Sequence, residues 1–388
     1  MSSNAPIVVS GAGPVGLSLA LALARSGIRS VVLEKKPKID AHSRATLIVP
    51  RSLEFFYRLG VLAPFLDQGQ RNDAIRILRA SDRKPMLTFD FSELADRTPT
   101  PYALALSQDR TERILLDAVL ATGLVDIAFD TALERFDASE DGVHIIASGG
   151  RELEAKVLVG ADGAHSAVRK QLGWELEGKT YPTRAVLADV SVSPEADTTA
   201  GWLADPNAGS FTIAIRFADG VWRIIEAAVD DTLAEEDLPG HAKLLTERMF
   251  GPGSWRQTLW TAAYKKHERR TSRLVAGRVV LAGDAAHLNS PAGGQGMNAG
   301  LADAELLARQ LQQGLAQPHL LQTNLHHYEQ ERIRAFDRDI RSLTDKLEAM
   351  ETLPAWARSL MFSALGLARA AGLERIAARR LSMLPQLH

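Results

Sequence analysis

Cysteine is absent from the 388-residue chain. Its absence excludes disulfides, thiolate metal sites and a cysteine nucleophile, so any redox chemistry must come from a bound cofactor. The chain also lacks a long uninterrupted apolar run, an N-terminal secretion signal and a basic stripe, and its formal net charge is only −2. We therefore expect a soluble, cytoplasmic protein that binds small molecules rather than nucleic acid, a metal ion or a membrane.

Two kinds of strand pattern divide the chain. Apolar runs at Ile7–Val9 and Val31–Leu33 flank a helical pattern, which predicts a βαβ unit of a buried parallel sheet, and GRVVLAGD (277–284) resumes this type. Between them, FTIAIRF (211–217) and VWRIIEAAV (221–229) alternate with a period of two, which predicts antiparallel strands. The length exceeds what one hydrophobic core usually serves, so we expect an α/β domain from the outer parts of the chain and a β-rich domain from the middle.

The segment GAGPVG (11–16) joins the first strand to the first helix. Gly11 permits a tight turn, Gly13 lets a pyrophosphate approach the main chain, and Gly16 lets the helix pack on the strand. The helix N-terminus attracts the anion, and Glu34 ends the next strand, where a carboxylate can bind an adenosine ribose. This unit predicts a dinucleotide site formed by Gly11, Gly13, Pro14, Val15, Gly16, Glu34 and Lys35.

We call the turn at GAGPVG (11–16) the first corner. Two further corners, each made of glycine and an acid, follow two later strands. They lie in AKVLVGADGAHSAVRKQL (155–172) and in GRVVLAGDAAHLNSPAGGQGMNAGLADAELLA (277–308). Together with SRATLIVPRSLEFFYRLGVL (43–62) and YEQER (328–332), these segments resemble the FAD-dependent aromatic hydroxylases, the class A flavoprotein monooxygenases related to p-hydroxybenzoate hydroxylase. The resemblance covers about residues 6 to 332 and is least specific in the middle third.

The resemblance implies a fold and a chemistry. The fold is α/β, with a Rossmann-like FAD-binding domain, an antiparallel β-sheet substrate domain and C-terminal helices. NADH or NADPH reduces FAD, oxygen then forms a flavin C4a-hydroperoxide, and this species hydroxylates an aromatic, phenolic or polyketide-like molecule. No second Rossmann fold for the nicotinamide nucleotide is visible, which a flavin that swings between two positions would explain. The thioredoxin-like C-terminal domain of the phenol hydroxylase branch is not expected.

The resemblance also implies roles for residues around the flavin. Asp284 accepts a hydrogen bond from the ribityl chain, and the glycines after it let the main chain lie against the ring while the next helix points its positive end at the reduced flavin. Met297 and Asn298 donate backbone N–H groups, and Pro291 lies where oxygen and substrate meet. The predicted cofactor residues beyond the first corner are Arg44, Gln108, Asp162, Gly163, Asp284, Pro291, Gly294, Gly296, Met297 and Asn298.

The roles of three of these residues are predicted separately. Arg44 resembles the family arginine near the pyrophosphate and the nicotinamide nucleotide, and Gln108 matches a glutamine on the ribityl chain. Asp162 either lies where the FAD and nicotinamide paths cross or only fixes its own turn.

The predicted domain boundaries follow from the same resemblance. The FAD-binding domain takes residues 1–72, 101–180 and 271–345, the substrate domain takes 73–100 and 181–270, and residues 346–388 form C-terminal helices. These helices pack on the body, form a dimer contact or lie on a membrane, and packing is favoured. A monomer or a homodimer is expected.

The substrate side is predicted from one hairpin. A two-residue turn at Asp219-Gly220 would place Arg216 opposite Arg223 on one face of the sheet. Arg216 also falls where, by resemblance, the parent hydroxylase binds its substrate's carboxylate. Our hypothesis is that this face lines the active site and that both arginines contact an anionic or phenolate substrate; a solvated sheet face is the favoured alternative.

Two other functions stay open at this stage. A flavin-dependent reductase of an isoprenoid or other unsaturated substrate shares the fold but uses no oxygen. A flavin-binding regulatory protein would not turn over at all. Oxygen consumption that a substrate stimulates in the presence of NADH or NADPH separates both from a monooxygenase.

Overall fold

The computed structural model describes residues 5–39, 47–80, 82–195, 201–204, 211–290, 295–341 and 374–384, with short pieces between 345 and 360. The strands are β1 (Ile7–Ser10), β2 (Ser30–Leu33), β3 (Leu47–Ile48), β4 (Gln70–Asn72), β5 (Ala74–Arg79), β6 (Pro85–Asp90), β7 (Ala103–Ala105), β8 (Val125–Ala128), β9 (Leu133–Ala138), β10 (Val143–Ala147), β11 (Arg151–Ala155), β12 (Val157–Gly160), β13 (Glu177–Val192), β14 (Gly201–Ala204), β15 (Phe211–Arg216), β16 (Trp222–Val229), β17 (Trp255–Arg270), β18 (Val275–Ala276), β19 (Val279–Leu281) and β20 (His287–Leu288). The helices are α1 (Pro14–Arg25), α2 (Pro50–Arg58), α3 (Leu62–Gln68), α4 (Gln108–Leu120), α5 (Ala167–Gln171), α6 (Leu238–Phe250), α7 (Gly296–Ala316), α8 (Leu321–Ala335) and α9 (Glu374–Ser382).

A six-stranded sheet forms the centre of the larger layer, in the order β18-β19-β12-β1-β2-β8. The strands from β19 to β8 are parallel, and β18 is antiparallel to β19. Every residue of β1, β2 and β12 is buried, because these apolar strands are covered on both faces. The predicted βαβ unit is confirmed, as is the return of the chain to this sheet at β19.

Glycines allow the backbones around α1 to approach closely. A Cβ on Gly16 would lie 2.0 Å from the carbonyl oxygen of Gly11, and one on Gly11 would lie 2.3 Å from that of Ala161. Gly300 has the same function on α7, where a Cβ would lie 2.5 Å from the side chain of Val15. The first turn of α1 is therefore held between the end of β12 and α7, and the predicted packing function of Gly16 agrees with this geometry.

An eight-stranded sheet forms the second layer, in the order β20-β17-β13-β16-β15-β14-β5-β6. Neighbouring strands are antiparallel except for the pair β14 and β5. Helix α6 covers one face, where Met249 and Phe250 join a buried cluster with Trp222 and Ile224. The opposite face carries Asp189, Arg223 and Trp260 and borders the pocket described below.

The hairpin between β15 and β16 has a different register from the predicted one. Phe217 N donates to Val221 O at 2.9 Å, so the loop holds three residues, and Gly220 takes the left-handed conformation (φ +87°). A turn followed by a left-handed glycine is a common three-residue hairpin loop, and the Asp-Gly pair fits it as well as a two-residue turn. Arg216 therefore pairs with Trp222, and Arg223 pairs with Ile215. The predicted pairing of Arg216 with Arg223 is wrong, and the two arginines lie on opposite faces.

The remaining elements connect or cover the two large sheets. The small sheets are β3-β7-β4 and β11-β10-β9, and α9 buries Ala378 and Leu381 against the body of the protein. Most of the predicted C-terminal helical segment lies outside the described residues, and the domain boundaries stay a prediction. None of the described helices combines the length and the apolar character that a membrane span requires.

Candidate active site

The first predicted corner lies at the N-terminus of α1. Gly13 precedes the helix with an extended backbone, and a Cβ added there would meet no atom within 4 Å, so the main chain borders open space. The Glu34 carboxylate accepts hydrogen bonds from Ala12 N at 2.8 Å and from Lys36 N at 2.9 Å, while Lys35 is exposed. A helix N-terminus beside an accessible backbone and a fixed carboxylate suits the pyrophosphate and the ribose of a dinucleotide.

The second corner is built around Asp162. Its Oδ2 accepts from Ala167 N at 2.7 Å and from Val168 N at 3.3 Å, so the side chain fixes the start of α5. Its Oδ1 is buried and finds no hydrogen-bond partner among the described residues. A buried acceptor without a partner is costly, which leaves Oδ1 available to a bound group. Gly163 takes a left-handed conformation (φ +78°) with open space around its Cα.

The third corner precedes α7. Asp284 is exposed on the short turn Gly283–Ala285, and Gly296 is the first residue of α7. The first backbone hydrogen bond of this helix runs from Ala299 N to Gln295 O, so the N–H groups of Gly296, Met297 and Asn298 precede it. The predicted residues Arg44, Pro291 and Gly294 lie outside the described residues.

The side chain of Asn298 has a structural function that was not predicted. Its Oδ1 accepts from Val49 N at 3.1 Å and from Ser52 Oγ at 2.8 Å, and its Nδ2 donates to Leu47 O at 2.9 Å. These bonds fix the start of α7 to the segment between β3 and α2. The backbone of Asn298 remains in the first helical turn, where the predicted N–H group lies.

Gln108 begins α4 and donates from Nε2 to Glu112 Oε1 at 2.8 Å. Glu112 is buried (8% exposed), and burial raises the pKa of its carboxyl to about 7, although the bond from Gln108 lowers it. The side chain of Gln108 thus bonds to a buried acid, and its neighbours in the sequence, Ser107 and Asp109, line the pocket described next. Glu112 was not predicted, because a single glutamate in an amphipathic helix is usually solvated.

A buried charge network supports the third corner. Asp303 lies 2.7 Å from His287 Nε2 and accepts from Arg332 Nε at 2.5 Å and from Gly283 N at 2.8 Å. Burial raises the pKa of Asp303, but His287 and Arg332 outweigh this and hold it at about 2. The ion pairs fix α7 and α8 to the turn that carries Asp284, which gives the motif residue Arg332 a structural function.

A pocket of about 300 Å³ lies between the N-terminus of α4 and the sheet face opposite α6. Arg223 is 3% exposed, and its Nε and Nη2 each lie 2.7 Å from a carboxylate oxygen of Asp189. The guanidinium carbon lies 5.3 Å from the ring centre of Phe217 and 5.5 Å from that of Trp260. Arg216 is exposed and on the other face, so the structure brings only one of the two predicted arginines to this pocket.

The pocket contains residues that sequence reasoning missed. Arg110 in the first turn of α4 forms an ion pair with Asp219 at 2.9 Å, which joins the hairpin tip to the other layer. Asp189 interrupts the apolar stretch AVLADV, and an acid in a buried strand is a signal for a charged partner that could have been used.

The three corners fit FAD on observations of this chain. Open space borders Gly13, Asp162 has a buried oxygen without a hydrogen-bond partner among the described residues, and the N–H groups of the first turn of α7 precede the first backbone hydrogen bond of that helix. No group of three or more histidine or acidic side chains in the described parts of the chain is arranged to hold a metal ion.

Comparison with known proteins supports an FAD site at the three corners. Residues 4–341 match the family model described as FAD binding domain. Para-nitrophenol 4-monooxygenase of Pseudomonas sp. (strain WBC-3) is 32% identical over 317 residues, which cover 79% of this chain and 77% of that protein. The crystal structure of p-nitrophenol 4-monooxygenase from Pseudomonas putida DLL-E4 superimposes with a TM-score of 0.89 at 25% identity, over 97% of this chain and 98% of that one.

A third relative was solved with its cofactor. Aklavinone-11 hydroxylase in complex with FAD and aklavinone has a TM-score of 0.74 and 28% identity, over 88% of this chain and 69% of that one. The predicted fold class and the FAD cofactor are confirmed. The chain is an FAD-dependent monooxygenase and belongs to the FAD-dependent aromatic hydroxylases, the class A flavoprotein monooxygenases.

Proposed function

We propose that this monooxygenase hydroxylates a small aromatic, phenolic or polyketide-like molecule, with NADH or NADPH as electron donor and molecular oxygen as the oxygen source. The pocket between α4 and the antiparallel sheet carries the proposal, because it has aromatic walls and borders the residues around Gln108. The printed names of the relatives, para-nitrophenol 4-monooxygenase and aklavinone-11 hydroxylase, support this substrate class. A cytoplasmic location and a monomeric or homodimeric state stay predictions.

We assign the three corners to the cofactor as follows. Gly11, Gly13 and the first turn of α1 would hold the pyrophosphate, and Glu34 would hold the ribose. Asp162 Oδ1 would accept one hydrogen bond from the bound group. Asp284 and Gln108 would hold the ribityl chain, and the N-terminus of α7 would face the ring. When bound, FAD supplies two-electron transfer and the activation of oxygen that no side chain of this protein can provide.

The chain itself has three tasks in this reaction. The helix N-termini of α1 and α7 bind and orient anionic groups without the cost of desolvating a lysine or an arginine. The sheet face with Phe217 and Trp260 orients a flat substrate through ring contacts. The hairpin tip and α4 enclose the pocket and exclude water, which limits the loss of reducing equivalents to solvent.

The placement of FAD is tested by Gly13→Ala. The new methyl group meets no protein atom within 4 Å and the backbone angles suit alanine, so the apoprotein is expected to fold and melt as the wild type does. FAD affinity is expected to fall about tenfold or more, since the methyl group occupies the space of the pyrophosphate. Flavin absorbance after dialysis and thermal unfolding of the apoprotein measure the two effects.

Gly240→Ala on α6 is the matched control, because it also meets no atom within 4 Å and lies far along the chain from the corners. Unchanged FAD affinity in Gly13→Ala would refute the assignment of the first corner. The activity itself is tested with a panel of phenols, quinones and polyketides. Accelerated NADH or NADPH oxidation, with one oxygen atom added to the product mass, is the expected result, and oxidation without oxygen uptake would instead favour the reductase alternative.

A further inference from the structure

Resting on the proposed function, we propose that the pocket beside Arg223 takes an uncharged aromatic substrate and discriminates against carboxylates. The arginine would suggest the opposite if it were read from the sequence alone. Its positive charge, however, is already neutralised inside the protein by Asp189, which meets it with both carboxylate oxygens at 2.7 Å.

The geometry of this ion pair makes it costly for Arg223 to exchange Asp189 for a ligand carboxylate. Arg223 is 3% exposed, and its guanidinium carbon lies over the rings of both Phe217 and Trp260. A substrate carboxylate could bind the guanidinium only by displacing Asp189, which would leave this part-buried acid (18% exposed) without its partner, and breaking such a pair is costly. Arg223 therefore presents to the pocket a flat, neutralised surface that suits contact with an aromatic ring.

The other charges of the pocket also oppose an anion. Among the described residues, three carboxylates line it (Asp109, Asp189 and Asp219) against two guanidinium groups (Arg110 and Arg223), so these walls carry one net negative charge. Arg110 is paired with Asp219 at 2.9 Å, as Arg223 is paired with Asp189. Asp109 adds a third acid in the first turn of α4. Among the described residues of the pocket, both guanidinium groups are paired with carboxylates, so a bound carboxylate would meet this acid without a cation of its own.

Neutral hydrogen-bonding groups remain for a phenol or a ketone. Gln68 and Ser107 line the same pocket, and the side chain of Ser107 does not cap α4. A phenol O–H can donate to these groups or to Asp109, whereas a carboxylate has no proton to donate. The geometry therefore matches a protonated phenol or a neutral polycyclic ring rather than the anionic or phenolate substrate expected from the sequence.

The test compares two ligands of nearly equal size, 4-hydroxyacetophenone and 4-hydroxybenzoate, which differ in a methyl ketone against a carboxylate. Binding to the FAD-loaded enzyme at neutral pH is followed by the change in flavin absorbance. The ketone is expected to bind at least about tenfold more tightly than the benzoate. A preference for the benzoate, or no binding of either ligand, would overturn the proposal.

Variants test the cause of the preference. Asp189→Asn leaves Arg223 with an uncompensated charge, and the ratio of benzoate to ketone affinity is expected to rise about tenfold or more. If this variant does not fold, Asp109→Asn on the part-exposed start of α4 is expected to raise the same ratio about threefold. Asp137→Asn, an exposed acid on β9, is the control and should leave it unchanged. An unchanged ratio in both pocket variants would refute the proposal.

Failure of this inference is distinguishable from failure of the proposed function. If carboxylates bind better and one of them is hydroxylated with NADH or NADPH, the charge argument is wrong and the monooxygenase function stands. If no aromatic compound stimulates oxygen consumption while the ketone still binds more tightly than the benzoate, the proposed reaction fails and the assignment of the pocket stands.

Discussion

Asp303 on α7 is completely buried between His287 on β20 and Arg332 on α8. Burial alone would raise the pKa of this acid, but His287 and Arg332 hold it at about 2, below the ordinary 3.8. A depressed pKa stabilises the fold above the ordinary value, and this contribution is lost as the pH falls from about 4 to about 2. The anion is therefore part of the folded structure at neutral pH.

We expect Asp303→Asn to destabilise the protein by about 3–5 kcal/mol, because Arg332 would stay buried without its counter-ion. The thermal midpoint and the urea midpoint should both fall. Asp137→Asn removes a surface pair whose partners are 64% and 70% exposed, and it should change stability by less than about 0.5 kcal/mol. Equal stability of the two variants would contradict the assigned function of Asp303.

Glu112 is the opposite case, since burial raises its pKa from 4.5 to about 7. The folded state then holds a proton that the unfolded chain releases, so this residue makes stability fall as the pH rises from about 4.5 to about 7. In Glu112→Gln the dependence should disappear, and the variant should be more stable than the wild type above pH 7 by up to about 3 kcal/mol.

Thermal midpoints at about pH 5 and pH 8 measure this effect for Glu112. Glu134→Gln, an exposed glutamate on β9, is the control that should follow the wild type at both pH values. A Glu112→Gln variant with the same pH profile as the wild type would show that the buried carboxyl does not carry the raised pKa.

Single residues differ in how well the sequence predicts them. Gly11, Gly13 and Gly16 were predictable, because a local motif fixes both their backbone and their neighbours. Asp189 and Asp303 were not, because their partners lie 34 and 29 residues away in the chain and only the folded sheet and helices bring them together. Residue types indicate that a buried acid needs a cation, but they do not indicate which one.

At the scale of elements, the position of α1 depends on the lack of a side chain at Gly16. Gly16→Ala would place a methyl group 2.0 Å from Gly11 O, so the helix must move away from β1. We expect a loss of about 1–3 kcal/mol together with weaker FAD binding, since overpacking strains the turn that faces the cofactor. Gly240→Ala in the first turn of α6 should be neutral or stabilising by up to about 1 kcal/mol.

Thermal unfolding and flavin content after gel filtration separate the glycine variants. Gly16→Ala should lose stability and flavin together, whereas Gly13→Ala should lose flavin alone. A Gly16→Ala protein that melts like the wild type would show that the close contact between α1 and Gly11 is not required.

The hairpin between β15 and β16 shows which feature of an element the sequence could not predict. Both strands were predicted from their alternation, and only the loop length was wrong, yet a shift of one residue turns every side chain to the other face. This shift moved Arg216 to the face of α6 and left Arg223 in the pocket. Since Asp-Gly fits loops of two and three residues, the sequence could not choose between the two faces.

At the scale of the whole molecule, the parallel and the antiparallel layers meet around the pocket. The parallel layer was predictable, because three corners follow three of its strands in a fixed order. The substrate face was not, since it combines residues of β13, β16 and β17 with the start of α4. The cofactor could therefore be predicted with the fold, whereas the charge of the pocket needed the structure.

The ion pair between Arg110 and Asp219 joins these two layers at the mouth of the pocket. Its partners are 38% and 42% exposed, so Asp219→Asn should cost less than about 1 kcal/mol of stability. The hairpin tip would nevertheless lose its contact with α4, and water would enter the pocket more easily. We expect the fraction of NADH or NADPH consumption that ends in hydrogen peroxide to rise about twofold.

Peroxide and product yields per nicotinamide oxidised measure this uncoupling. Glu331→Gln on α8 removes a surface pair with Arg334, whose partners are 67% and 44% exposed, and should leave the yields unchanged. The side-chain oxygen of an asparagine can still accept the bond from Val221 N, so the turn itself should persist and only the contact between the layers is tested. Unchanged coupling in Asp219→Asn would mean that the enclosure of the pocket depends on other contacts between the two layers.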